Sequence, residues 1–178
     1  MSLIYDKSNA GLSVTEPGVY EVYPTSWHYH ISGAGNNVID LDYRVRTDVE
    51  QSFQGATINY DSYNDSPKAK YRIDRFISCL IPAVPDHKDF ETIQNWAKQM
   101  MGCAVRVQVV METNNNGKTY ATVKSVMQSA KPEIDGKPFI VGEIQENNQR
   151  PKAKAPSSAD PFTNNADTVD VSDDDLPF

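Results

Sequence analysis

The sequence has no long apolar run: nowhere do its 178 residues approach the roughly 20 consecutive apolar side chains that carry a helix across a bilayer. Its first residues also lack the basic stretch followed by an apolar one that marks a secretory leader, so the chain is predicted to be soluble and not exported. Cysteine is scarce. Cys79 and Cys103 stand too far apart to make a CxxC clamp or redox pair, and both are expected to be buried, reduced thiols. Histidine is scarce too. His28 and His30 alternate along a predicted strand and share a face on which a carboxylate would complete a metal site, but ordinary surface histidines are the simpler reading and no cofactor or metal is expected. Walker loops, dinucleotide fingerprints and serine-hydrolase motifs are all missing, which removes the commonest enzymatic signatures.

What the chain does have is uneven charge. Its net charge of -7 argues against a phosphate-binding surface at first sight, because neutralising phosphates takes Lys and Arg. The excess is concentrated: residues 1 to 150 carry 15 basic against 18 acidic side chains, whereas residues 151 to 178 carry 2 against 6. From about Asn147 onward the composition shifts to Asn, Pro, Ala, Ser and Asp, which cannot bury enough apolar surface to offset the entropy of ordering. A domain over residues 1–146 and a disordered acidic tail over 147–178 are therefore expected.

Within the domain the dominant period is two, as in strands that bury one face. A first strand begins at Tyr20, bends at Pro24 and resumes with Trp27, Tyr29 and Ile31 in phase. After the turn-rich Ser32 to Asn37, a second strand places Ile39, Leu41, Tyr43 and Val45 on a core face and Asp40, Asp42, Arg44 and Arg46 on the opposite one. A third carries Ala56, Ile58 and Tyr60 in phase. The period then becomes helical through Ile73, Phe76, Ile77, Leu80 and Ile81, stopped by Pro82. A second helix, capped by Asp86 or Asp89, carries Phe90, Ile93, Trp96, Ala97 and Met100 and ends near Gly102. Val105, Val107, Val109 and Met111 mark a fourth strand, and Asn114 to Gly117 turn the chain into a fifth that runs to Gln128. Five strands with helix between the third and fourth match a mainly β, five-stranded OB-fold, a Greek-key barrel; another small barrel or an α+β sheet fits the same order.

The tail contains Asp160-Pro161-Phe162 and closes with Val169 to Ser172 followed by Asp173, Asp174, Asp175, Leu176, Pro177 and Phe178. This resembles the C-terminal tail of bacterial single-stranded DNA-binding proteins, especially those of Gram-positive bacteria. The resemblance implies docking onto replication, recombination and repair proteins. The chemistry agrees: Phe178 offers a ring and a carboxylate, Pro177 stiffens the approach, and Asp173 to Asp175 steer the segment towards basic partners with an apolar pocket. The body lacks the short basic and aliphatic strand with which the bacterial proteins open. Its segment Ser32-Gly33, then Ile39 to Val49, with Trp96 through Gly102, resembles bacteriophage-encoded single-stranded DNA-binding proteins over roughly residues 17–130. A phage protein acting in the cytoplasm of a bacterial host is what the two likenesses together imply.

Sequence-tolerant DNA binding needs cations for phosphates and aromatic faces for bases. Arg44, Arg46, Lys68, Lys70, Arg72 and Arg106 are the phosphate candidates. Trp27, Phe53, Tyr60, Tyr63 and Tyr71 are the stacking candidates, with Tyr120 and Lys124 weaker ones, while Trp96 and Phe76 are assigned to the core. Asp40 and Asp42 form a carboxylate pair of the kind that holds Mg²⁺ in nucleases, but no further acidic ligands or base accompany them, so catalysis is not expected. The competing function is an adaptor or decoy whose body binds protein and whose tail captures the host's tail-binding replication and repair enzymes. An assembly of two or more copies is compatible with either.

Overall fold

The computed structural model describes residues 11–145; the tail residues Asp173 to Phe178 and the rest of 146–178 lie outside them. The described chain is mainly β. It runs β1 (Gly18–Ile31), β2 (Asn37–Val45), β3 (Thr57–Asn64), α1 (Tyr71–Ser78), α2 (Ile93–Met100), β4 (Val105–Thr113), β5 (Thr119–Gln128) and the short β6 (Gly142–Glu143).

The strands form one sheet in the order β3-β2-β1-β4-β5, antiparallel throughout this path. β1 is long enough to serve two neighbours. Gly18 to Val22 pair with β4, and the pairing with β2 continues to Ile31 across an irregularity between Pro24 and Ser26. Pro24 has no amide hydrogen to give a ladder, and its carbonyl accepts instead from Gly102 N at 2.9 Å. Beyond that bend β6 takes the vacated edge, pairing in parallel with Ser26 and Trp27. β3 and β5 approach each other at the two ends of the order, but no hydrogen-bonded ladder joins them among the described residues, and the sheet is not closed.

The inward faces carry Ile39, Leu41, Tyr43, Val45, Val105, Val107 and Val109, as the alternation predicts. The helices close this core. Ile73 and Phe76 of α1 and Ile93, Trp96, Ala97 and Met100 of α2 are buried, with the Trp96 ring 5.0 Å from Tyr63 and 5.7 Å from Phe76.

Two boundaries and the burial of one cysteine differ from expectation. α1 stops at Ser78, where the chain tightens into i to i+3 bonds from Cys79 N to the Phe76 carbonyl at 3.0 Å and from Leu80 N to the Ile77 carbonyl at 3.1 Å, and Pro82 bars Ile81 from extending it. α2 is capped by Thr92, whose hydroxyl accepts from Asn95 N at 3.1 Å; Asp89 turns its carboxylate to Glu91 N, and Phe90 packs against the core from outside the helix. Cys79 is buried but Cys103 is only half-buried; both are free thiols. No helix among the described residues is long and apolar enough to cross a membrane.

Candidate nucleic-acid interface

Tyr60 leaves the alternation of its strand. In the β2–β3 ladder Leu41 faces Asp61 but Tyr43 faces Ile58, so β3 holds an extra residue at Asn59-Tyr60 opposite Asp42. The bulge turns Tyr60 out with φ 64°, 79% exposed, while Ile58 before it and Asp61 after it face inward. A bulky residue in this left-handed region costs on the order of 1–3 kcal/mol, which surrounding contacts must offset. Asp42 supplies one such contact. Its Oδ1 accepts from Tyr60 N at 3.1 Å, and its Oδ2 accepts from Ser26 Oγ at 2.9 Å, which locks the carboxylate across the sheet.

Tyr60 stands on the wall of a cleft of about 620 Å³ between β3 and the β4–β5 hairpin. The far wall is Met111, Asn114 and Lys118 to Ala121, and Ser13 to Thr15 complete the lining. Tyr120 is exposed there, its hydroxyl 3.5 Å from Glu112 Oε2. Asn114 holds the hairpin end: its carbonyl side-chain oxygen accepts from Asn116 N at 3.0 Å and Lys118 N at 2.9 Å. Two exposed tyrosines and the Lys118 ammonium thus line one open cleft, the combination of stacking faces and positive charge that a single strand requires.

Behind the bulge lies a buried polar cluster. Asp61 Oδ2 accepts from the hydroxyls of Tyr43 at 2.7 Å and Tyr63 at 2.8 Å, and its Oδ1 accepts from Arg72 Nη2 at 2.7 Å. Arg72 also caps the Ser62 carbonyl at 2.6 Å and lies 4.9 Å over the Tyr63 ring. Burial, reinforced by the Asp61 charge, drives both tyrosine hydroxyls well above their ordinary pKa, so they remain donors at any physiological pH. The cluster satisfies its own charges and holds β3 to α1 directly after the bulge.

Several predicted contact residues lie elsewhere. Arg46 was expected beside Arg44 on the outer face, yet it is 0% exposed. β2 ends at Val45, so the alternation no longer governs Arg46. Its guanidinium spends every donor inside: on Asp48 Oδ1 at 2.9 Å and Oδ2 at 2.6 Å, on Ser129 Oγ at 3.3 Å, on the Lys131 carbonyl, and on the Glu133 carbonyl at 2.7 Å. Glu21 joins from the other side, accepting from Ser129 Oγ at 2.6 Å and Ala130 N at 2.7 Å. Arg46 therefore clamps the segment after β5 onto the sheet. Tyr63 and Trp27 are buried core residues, Arg72 is engaged by Asp61, and Phe53 packs edge-on against Tyr20 at 6.0 Å. Trp27 and Tyr63 therefore offer a base no open face, the Arg72 guanidinium is held by Asp61, and Phe53 stays half-exposed.

Arg44 is half-buried on the outer face, its guanidinium 5.2 Å from the Phe139 ring. Arg106 bonds the Gln128 carbonyl at 3.0 Å and lies 3.7 Å from Glu21. Lys68, Lys70 and Tyr71 are exposed, with Lys70 paired to Asp74 at 2.8 Å, but they follow the C-terminal end of β3, whereas Tyr60 belongs to its first half. Lys124 is also exposed and occupies the β4–β5 irregularity at Gln108/Val109. Sequence reasoning missed Lys118 and the Ser13 to Thr15 segment, for which the only local signal was the Asn-Gly turn at Asn116-Gly117.

A comparison with curated proteins finds no match. Residues 4–136, most of the chain, match the model of a family described as proteins of unknown function (DUF669), and the protein belongs to that family.

Proposed function

We propose that the protein binds single-stranded DNA without sequence preference, as a bacteriophage-encoded protein of DNA replication, recombination and repair. It is not an enzyme in this reading. The observation that carries it is Tyr60: a large aromatic ring held outward on a strained, pinned bulge, facing a cleft that also presents Tyr120 and Lys118. Strain retained on an exposed ring has no packing reward, so it points to use of the ring. Each base stacked on such a ring adds about 1–3 kcal/mol of binding.

An OB-fold barrel is the finer fold that suits this function. The strand order, the helices between β3 and β4, and the approach of β5 to β3 support it. In that arrangement the DNA lies in the cleft between the first half of β3 and the β4–β5 hairpin, beside the Asn114 to Gly117 turn. The acidic residues Asp173, Asp174 and Asp175 with Leu176, Pro177 and Phe178 recruit replication and repair proteins of the phage or its host.

The reading is tested by titrating a labelled oligothymidine with the full chain at two salt concentrations. Tight binding that weakens with salt and is reduced by Tyr60→Ala is expected. No binding at low salt sinks the proposal. The adaptor reading gains from one observation, the exposed Phe139, Ile140, Val141 and Ile144 that flank β6. It predicts that the same titration fails while a protein partner is retained.

A further inference from the structure

His28 and Asp40 are cross-strand partners in the β1–β2 ladder, and His30 lies two residues further along the same face. Asp40 Oδ2 is 3.4 Å from His30 Nδ1 and 3.9 Å from His28 Nδ1. The imidazoles are stacked, with centroids 5.8 Å apart and planes at 26°. One ligand atom from each of the three residues falls within 4.8 Å of the others. We propose that His28, His30 and Asp40 form a binding site for a divalent transition cation of the zinc, nickel or copper class.

The donor set selects the cation. Two imidazole nitrogens and one carboxylate suit zinc, nickel and copper, whereas magnesium and calcium demand oxygen. Size agrees as well. Zinc bonds of about 2.0–2.2 Å set tetrahedral ligands about 3.3–3.6 Å apart, so the His30–Asp40 edge already has that length and the His28 edge is long by about half an ångström or less. Closing all three ligands, which lie within 4.8 Å of one another, on one cation requires the imidazole rings to turn about their side-chain torsions.

Asp40 is prepared for the role. Its Oδ1 accepts from Ser62 Oγ on β3, an outer contact that fixes the carboxylate and leaves Oδ2 facing the imidazoles. The neighbouring Asp42 is committed to Ser26 and to the Tyr60 backbone, which identifies Asp40 as the ligand of the pair. Three protein ligands leave at least one coordination position for water or an anionic oxygen. The proposal stands on this cluster alone and does not rest on DNA binding.

Calorimetric titration of the tag-free, chelator-stripped full chain with ZnCl₂ tests it, with MgCl₂ as control. One equivalent of zinc and no response to magnesium are expected. Cobalt provides the second readout: a visible spectrum of nitrogen and oxygen ligation, without the near-ultraviolet band of a thiolate, separates this site from Cys103. His30→Ala and Asp40→Asn should each weaken zinc at least tenfold, and His87→Ala should leave it unchanged. His30 is on the surface, so its variant decides the matter even if Asp40→Asn fails to fold. Absence of zinc binding, a thiolate spectrum, or undiminished affinity in His30→Ala overturns the site.

Discussion

Tyr60 and Tyr63 sit three residues apart on β3 and meet opposite environments: the first is 79% exposed at a bulge, the second 0% exposed against Trp96 and Asp61. Arg44 and Arg46 repeat the contrast at the end of β2, one stacked on Phe139 at the surface, the other sealed inside. Chemistry alone does not separate the members of either pair. Register does, because one extra residue or the end of a strand reassigns every side chain that follows.

The largest effect expected from this contrast is at Arg46. Arg46→Ala strips Asp48 of its two guanidinium hydrogen bonds, leaves Glu21 with the partly exposed Arg106 alone, and frees the Lys131 and Glu133 carbonyls, a loss of about 3–5 kcal/mol in urea unfolding. Arg44→Ala gives up the stacking on Phe139 but no buried charge partner, and should cost less than about 1 kcal/mol. Equal effects would break the distinction. The same clamp has a pH signature. Hydrogen bonds from Arg46 hold Asp48 well below the usual carboxylate range, so its contribution is complete above the unfolded carboxylate value of about 4 and is lost as pH falls through the depressed folded value. Stability measured downward from pH 5 should fall, and the fall should be smaller in Asp48→Asn.

Next in size is Tyr60. Tyr60→Gly removes the ring and suits φ 64°, so the strain relieved and the freedom added to the unfolded chain nearly cancel, leaving stability within about 1 kcal/mol of the parent. Affinity for oligothymidine should nevertheless drop by about 1–3 kcal/mol, the worth of one stacked base. At Tyr63 the signs invert. Tyr63→Phe deletes a buried donor to Asp61, costing about 1–2 kcal/mol of stability, with DNA affinity unchanged. A Tyr63→Phe variant that loses DNA and not stability would reverse the roles assigned to the two tyrosines.

How much of this was legible in the sequence varies by region. The inward faces of β2 and β4 and the apolar stripe of α2 follow from periodicity, because nothing interrupts those elements. The extension of the β2 alternation to Arg46 failed since the strand stops one residue earlier and Arg46 N turns to the Glu21 carbonyl. The Tyr60 bulge is invisible to alternation: Ala56, Ile58 and Tyr60 read as one face, and only pairing with β2 exposes the surplus residue. The same is true of Asp40. His28 and His30 announce a shared face, but which carboxylate stands opposite them is a property of the ladder. Lys118 is the extreme case, since two segments about 60 residues apart must fold together before it and Tyr60 line one cleft.

Lys118 also gives the smallest of the expected effects and the most discriminating one. It is exposed at the start of the fifth strand's hairpin and makes no buried contact, so Lys118→Ala should leave the unfolding midpoint in place. If its ammonium meets a phosphate in the cleft, one counterion fewer is released on binding, and the slope of log affinity against log salt should become shallower by about 0.7. Lys68→Ala provides the contrast, because that residue is equally exposed but lies outside the cleft lining. A slope that changes for Lys68 and not for Lys118 would move the DNA path away from Tyr60 and towards the segment that joins β3 to α1. A slope altered equally by both would require a strand that runs the full length of β3, so that the exposed Tyr71, next to Lys70, becomes a second stacking platform to be tested in the same way.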